Sequence, residues 1–230
     1  MSMSQKILLL DSQLNVAAHY RRALFNAAIE EYRMGEIYEY VQRAQFETGL
    51  PYHNTEHCIR VAHRCLELCA AGGWRLRHEI SMVMCAALFH DFGHTGKRPD
   101  SINIDIAVEG MRNAKPVQDY YSAPSIEEIA ETIRCTEFAP EGFPVAPTTY
   151  IQRVIRDADL MESMEPHCID YVVMALAEEM GVTVEEAIPK QIEFMRGVEM
   201  HTFAGEQIWQ QTLDTRIWSI ERLASYRAAL

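Results

Sequence analysis

The sequence predicts an all-α fold, a single compact bundle of many helices around one central apolar helix. The absence of two strand signals and the recurrence of helix-capping residues predict this fold. No stretch shows sustained period-two alternation, and no Asn-Gly or Asp-Gly turn separates two β-branched runs. Helix-capping residues recur along the chain instead. Because 230 residues suit one well-packed domain and would cramp two, we expect residues 1–230 to form one domain.

The first two predicted helices lie in the N-terminal third of the chain. The segment from about 12 to 33 has polar and apolar residues at helical spacing. A second helix should cover about 54–71. Asn54 or Thr55 can cap its first turn, and the Gly-Gly pair at 72–73 can stop it.

The third predicted helix, from about 78 to 92, differs because it is apolar on nearly every side. Its apolar side chains include Met82, Val83, Met84, Ala86, Leu88 and Phe89. A helix with this composition has no polar face for water, so it is expected in the centre of a bundle.

Capping boxes and a loop predict the next elements. Ser125-x-x-Glu128 should open a helix that ends near residue 138. The following stretch, 139–148, is rich in proline and glycine and is expected to be a loop. A second capping box, Thr149-x-x-Gln152, should start the next helix.

Three helices are predicted in the C-terminal part. Pro166 should open a helix that Gly181 closes, and Thr183-x-x-Glu186 should open the next. The last helix should begin near residue 205. Its predicted inward face consists of Ile208, Trp209, Leu213, Ile217 and Leu223.

Charge and cysteine content narrow the partners and the compartment. A net charge of −12 and a pI near 5.2 argue against duplex nucleic acid as a partner. A divalent cation would offset that charge locally, so small anionic substrates remain compatible. Six cysteines without a C-x-x-C pair, and no run long enough for a signal peptide or a membrane span, lead us to expect a cytoplasmic protein with no membrane partner. Apolar surface helices could support a homodimer, although no heptad run specifies one.

Three segments carry metal-binding side chains. They are Tyr-His-Asn-Thr-Glu-His at 52–57, His-Asp-Phe-Gly-His-Thr-Gly at 90–96 and Asp-Ala-Asp-Leu at 157–160. The pair His90-Asp91 follows the apolar helix, where an ionised carboxylate without a partner would be costly. A divalent cation meets this need because it binds neutral imidazole and carboxylate together.

An isolated His-Asp pair is more often a hydrogen-bonded helix end with no metal. Here His57 lies early on another helix and Asp159 lies within a third, which favours the metal site. Gly93 and Gly96 let the chain turn tightly and keep His94 near the same place. Two imidazoles and two carboxylates suit Zn, Mn, Fe or Mg, with water completing the coordination.

The order His … His-Asp … Asp resembles the HD-domain superfamily of metal-dependent phosphohydrolases. More narrowly, the segments are similar to those of class I cyclic-nucleotide phosphodiesterases over about residues 50–160. The matching runs are Tyr52-His53-Asn54-x-x-His57, His90-Asp91-x-x-His94-x-Gly96 and Ala158-Asp159-Leu160. The resemblance implies an HD-type helical bundle and a phosphoester hydrolase that uses one or two divalent metal ions.

The resemblance also implies a role for each matching residue. The implied ligands of the first metal are His57, His90, Asp91 and Asp159. Asp91 would also bridge to a second metal, His53 would donate a proton to the leaving oxygen, and His94 would lie beside the bridging water. A metal-activated hydroxide would attack phosphorus, and a positioned histidine can protonate the leaving alkoxide.

Three further acidic residues each have two possible roles. Asp105 follows Ile104 where the family carries paired histidines, so it could hold a metal-bound water or be an exposed helix-start carboxylate. Glu137 resembles an acid near the second metal, but a glutamate in such a position is more often a solvated helix charge. Asp157 competes with Asp159 as a ligand, and the Ala-Asp-Leu match favours Asp159.

The leading function is metal-dependent hydrolysis of a phosphoester, with a 3′,5′-cyclic nucleotide favoured by the Tyr-His-Asn run. The alternative on the same fold is a nucleotidase or phosphomonoesterase, a branch that generally lacks this run. A di-iron oxygenase would need further histidines, and none occurs from Thr95 to Pro166. A non-catalytic nucleotide sensor is disfavoured because the ligands and the donor are intact. The family's purine-binding glutamine and phenylalanine have no match in spacing here, and Trp209 is expected in the core.

Overall fold

The computed structural model describes residues 20–45, 49–96, 99–161 and 169–227. Within these ranges the chain is helical, and the only extended pairing is an isolated bridge between Ala139 and Gly142. This confirms the predicted all-α class. The helices are α1 (20–31), α2 (Gly35–Gln45), α3 (Thr55–Ala71), α4 (Arg77–Phe89), α5 (Asp100–Asn113), α6 (Lys115–Tyr120), α7 (Ala123–Arg134), α8 (Tyr150–Met161), α9 (Ile169–Met180), α10 (Val184–Gly197) and α11 (Phe203–Arg227).

Helix α4 is the centre of the bundle, as its apolar sequence predicts. Every residue from Ile80 to Phe89 is at most 7% exposed. The helix packs against α3, α7 and α8, and also contacts α2 and α5. It ends at Phe89, three residues earlier than predicted, and His90 is its C-cap. The chain then leaves the core through a turn at Gly93, whose φ of 70° favours glycine.

Most of the predicted capping signals are present. Asn54 caps α3 by accepting hydrogen bonds from the backbone N–H groups of Glu56 (3.0 Å) and His57 (3.1 Å). The reciprocal box of Thr183 and Glu186 opens α10. The Thr149–Gln152 pair likewise opens α8, and Gly181 closes α9 with a φ of 64°. Pro166 and residues 12–19 lie outside the described residues.

The predicted start of α7 is wrong. The helix begins at Ala123 and is capped by Ser122, whose hydroxyl accepts from the backbone N–H of Ser125. Pro124 lies in the first turn. Proline suits that position because its N–H would have no helical partner there and its φ is already helical. Ser125 is therefore inside the helix, three residues beyond the cap.

Asp157 links α8 to the start of α11 through hydrogen bonds. Its buried carboxylate accepts hydrogen bonds from the backbone N–H of His201 (2.8 Å) and from the N–H and hydroxyl of Thr202 (both 2.7 Å). Burial raises the pKa of Asp157, and these hydrogen bonds oppose the rise. A Cβ at Gly205 would lie 2.5 Å from the same carboxylate, so glycine is required for this close approach.

No helix in the described part of the chain is both long and apolar enough to cross a membrane.

Candidate metal centre

Three helices bring four predicted side chains together. His57 comes from the first turn of α3, His90 and Asp91 from the end of α4, and Asp159 from α8. His57 Nε2 lies 3.1 Å from His90 Nε2, 3.1 Å from an Asp91 oxygen and 3.3 Å from an Asp159 oxygen. His90 Nε2 lies 3.2 and 3.6 Å from the same two oxygens. The four side chains therefore point at one small region.

The ring of His90 is held in a defined orientation. Its Nδ1–H donates to the backbone carbonyl of Ala87 at 2.8 Å. This hydrogen bond leaves Nε2 without a proton in the neutral ring, directed at His57 and the two carboxylates. A backbone partner of this kind is the usual second contact of a metal-binding histidine, because it fixes the tautomer and the ring angle.

The electrostatics of the cluster favour a cation at its centre. Burial lowers the pKa of His57 and His90, but the nearby carboxylates raise both values above the ordinary one, that of His90 strongly. Burial likewise raises the pKa of Asp91, but the charges of His90 and His53 bring it well below the usual value. The pKa of Asp159 is lowered by hydrogen bonds from the two imidazoles, against the effect of burial. Neighbours of opposite charge thus favour the charged forms of these four groups, and a divalent ion would compete with protons for them.

The donor set fits a single divalent ion. Asp91 Oδ2 is buried and accepts no hydrogen bond from the described residues, although two imidazole nitrogens lie beside it. Such a buried oxygen needs a positive partner. Donors about 2.0–2.2 Å from one ion lie roughly 3–3.5 Å apart, which is close to the separations here. The mixed nitrogen and oxygen set is the one that Zn, Mn or Fe accept.

A second group of polar side chains lies beside this cluster. The rings of His53 and His94 are stacked, with centroids 3.8 Å apart and planes at 17°. His94 Nδ1 accepts the backbone N–H of Gly96 at 3.0 Å, and its Nε2 lies 3.6 Å from Asp100 Oδ1. His53 remains 23% exposed in its side chain, so it is open to a ligand. The two predicted histidines are therefore close neighbours.

Glu179 on α9 was not identified in the sequence. Its carboxylate accepts the backbone N–H groups of Tyr52 (2.5 Å) and His53 (2.9 Å), and its second oxygen pairs with His53 Nδ1 at 2.5 Å. Burial raises the pKa of Glu179, but the contacts with His53 lower it below the usual value. Its side chain is only 3% exposed. An acid on the half-buried side of a mostly apolar helix was the available signal.

Replacing Glu179 with Gln should lower kcat about 10- to 100-fold, the range found when a hydrogen-bond partner of a site histidine is removed. The amide keeps the shape but cannot balance a proton on the His53 ring. Glu178→Gln, an exposed neighbour on the same helix, is the matched control and should leave kcat unchanged. Steady-state kinetics with a metal assay would check this. A loss of bound metal in the Glu179 variant would instead point to a structural role.

The remaining candidate acids belong to no group of three metal-binding side chains in the described part of the chain. Asp105 is exposed and accepts a hydrogen bond from Arg134 at 2.9 Å, which agrees with the reading as a surface carboxylate. Glu137 is half-buried. Trp209 is 1% exposed and packs in the core, as predicted. Asp157 makes the helix contact described above.

Comparison with known proteins gives a match to one family model and shows a similar fold in solved structures. Residues 54–164 match the model of the HD domain. The chain is similar to the solved phosphodiesterase domain of Salpingoeca rosetta rhodopsin phosphodiesterase, with a TM-score of 0.59 and 15% identity over 92% of this chain and 87% of that one. The phosphodiesterase domain of the RhoPDE fusion protein from the same choanoflagellate is also similar. Its TM-score is 0.58, with 16% identity over 95% of this chain and 91% of that one.

The structure of LmjPDEB1 in complex with IBMX is also similar, with a TM-score of 0.57 and 15% identity over 86% of this chain and 85% of that one. No curated protein sequence shows significant similarity to the chain. At these identities the structural likeness concerns the fold, and it agrees with the HD-type helical bundle expected from the sequence.

Proposed function

Because residues 54–164 of this chain belong to the HD-domain family, we propose that the protein hydrolyses the phosphodiester of a 3′,5′-cyclic nucleotide. The broader class, a metal-dependent phosphohydrolase, is supported by the family and by the phosphodiesterase fold. One observation carries the narrower proposal. His53 lies beside the metal-binding cluster, partly open to solvent and paired with Glu179, where it can donate a proton.

In this proposal His57, His90, Asp91 and Asp159 hold the first divalent ion. When bound, the ion lowers the pKa of a coordinated water and neutralises charge on the phosphoryl oxygens. The Ala87 carbonyl holds His90 so that its Nε2 faces the ion. Asp91, buried without another hydrogen-bond partner among the described residues, supplies the negative charge that attracts it.

His53, oriented by its neighbours, supplies the proton that the leaving group needs. The carboxylate of Glu179 accepts from His53 Nδ1 and stabilises the protonated ring. Nε2 then carries the proton that the leaving alkoxide needs as its bond to phosphorus breaks. His94 stacks on His53 and limits how far that ring can rotate. The two backbone hydrogen bonds from Glu179 fix the main chain beneath it.

The test is product analysis by chromatography after incubation with Mn²⁺ or Mg²⁺. The panel holds cyclic AMP, cyclic GMP, nucleoside mono-, di- and triphosphates and an aryl phosphodiester. We expect a 5′-nucleotide from a cyclic nucleotide. Turnover of monophosphates alone would move the protein to the nucleotidase branch, and turnover of nothing in the panel would contradict the proposal.

A further inference from the structure

Cys58, the residue after His57 on α3, lies next to the metal-binding cluster. It is fully buried. Its sulfur, a nitrogen of His90 and a carboxylate oxygen of Asp91 all lie within 4.8 Å of one another. The three residues come from two parts of the chain, α3 and the end of α4.

Cys58 differs from the other cysteines in the described part of the chain because it belongs to a group of metal-binding side chains. Cys65, Cys69, Cys85 and Cys135 are also buried. Burial raises the pKa of the Cys69 thiol to about 12, as expected for a thiol packed as a small hydrophobe. None of these four belongs to a group of three metal-binding side chains within the described residues, whereas Cys58 does.

Two features of His90 and Asp91 indicate that their group with Cys58 can bind a cation. His90 Nδ1 contacts the Ala87 carbonyl at 2.8 Å, so Nε2 is the nitrogen that faces the cluster. Asp91 is 91% buried, and its Oδ2 accepts no hydrogen bond from the described residues. A buried carboxylate oxygen, an imidazole nitrogen and a thiol sulfur within one small volume form a donor set of mixed hardness.

We propose that the sulfur of Cys58 is a further donor to the divalent ion held by His90 and Asp91. This inference rests on the metal centre of the proposed function. As the sulfur–metal bond forms, the thiol releases its proton to solvent. A soft sulfur donor favours zinc or iron over magnesium, so the centre would select its ion more strongly than two histidines and two aspartates alone.

Zinc K-edge X-ray absorption on the zinc-loaded full chain tests this directly. A sulfur neighbour should appear at about 2.3 Å, distinct from nitrogen and oxygen neighbours at about 2.0–2.2 Å. Loading the protein with Co²⁺ should give an intense near-ultraviolet thiolate-to-cobalt band. That band should be lost in Cys58→Ser and kept in Cys65→Ser, which replaces a buried cysteine two turns further along α3.

The outcomes separate this inference from the proposed function. One bound zinc with only nitrogen and oxygen neighbours would overturn the role of Cys58 and leave the metal centre intact. A protein that binds no divalent ion would overturn both. The absorption measurement uses the unaltered chain, so it decides the question even if the Cys58 variant does not fold. In a folded Cys58→Ser variant, zinc affinity should fall roughly tenfold or more, with little change for magnesium.

Discussion

Asp91→Asn should abolish turnover, with a loss in kcat on the order of 10³-fold or more, since the variant loses a charged ligand of the proposed metal. The amide keeps the size of the side chain but lacks the negative charge that raises the pKa of the His90 imidazole. Bound metal should fall in parallel, because two neutral imidazoles and one carboxylate hold a divalent ion less tightly. Kinetics and metal content measured by mass spectrometry on the same preparation would check both effects.

Asp105→Asn is the matched control for this variant. Asp105 lies on the exposed side of α5, paired with Arg134, and should tolerate the same change with full activity and full metal content. Circular dichroism should show equal helix content in both variants. If the Asp91 variant keeps its metal and more than a tenth of its activity, the proposed ligand set is wrong.

His53→Gln should affect substrates according to their leaving group. A cyclic nucleotide expels a basic alkoxide, and loss of a general acid costs roughly 10²- to 10⁴-fold for such a group. An aryl phosphodiester expels a stable phenolate that needs no proton, so its rate should fall less than about tenfold. Glutamine retains bulk beside the His94 ring, which limits rearrangement of the stack.

The measurement is the loss of rate with the cyclic nucleotide divided by the loss of rate with the aryl phosphodiester. His201→Gln, which changes an exposed side chain and leaves its backbone bond to Asp157 in place, should alter neither rate. Equal losses on both substrates would show that His53 positions the substrate or the metal and does not donate the proton.

Much of the fold and of the four-residue cluster follows from sequence alone. The apolar sequence of α4 predicts its central position, and the His-Asp pair at its end needs a polar partner wherever the helix lies. The caps at Asn54, Thr149 and Thr183 depend on local hydrogen bonds, which a sequence reports directly.

The rest depends on contacts between distant segments. Glu179 approaches His53 only when α9 packs beside the segment that precedes α3. No sequence pattern near either residue indicates the other. The bonds of Asp157 to the start of α11 are likewise invisible until the two helices meet. Helix α2 was missed because Gly35 is a typical stop signal, yet here it begins the next helix.

The turn of α8 that holds Asp157 and Asp159 has a consequence for modularity. Asp159 faces the histidines, whereas Asp157, two residues earlier, accepts its hydrogen bonds from His201 and Thr202. A fragment cut to the HD segment, 54–164, would contain all four proposed ligands but would leave the buried Asp157 carboxylate without its partners, two residues from a proposed ligand. We therefore expect the HD segment to need the start of α11 for stable folding, and a transplant of this centre into another scaffold would have to include that segment.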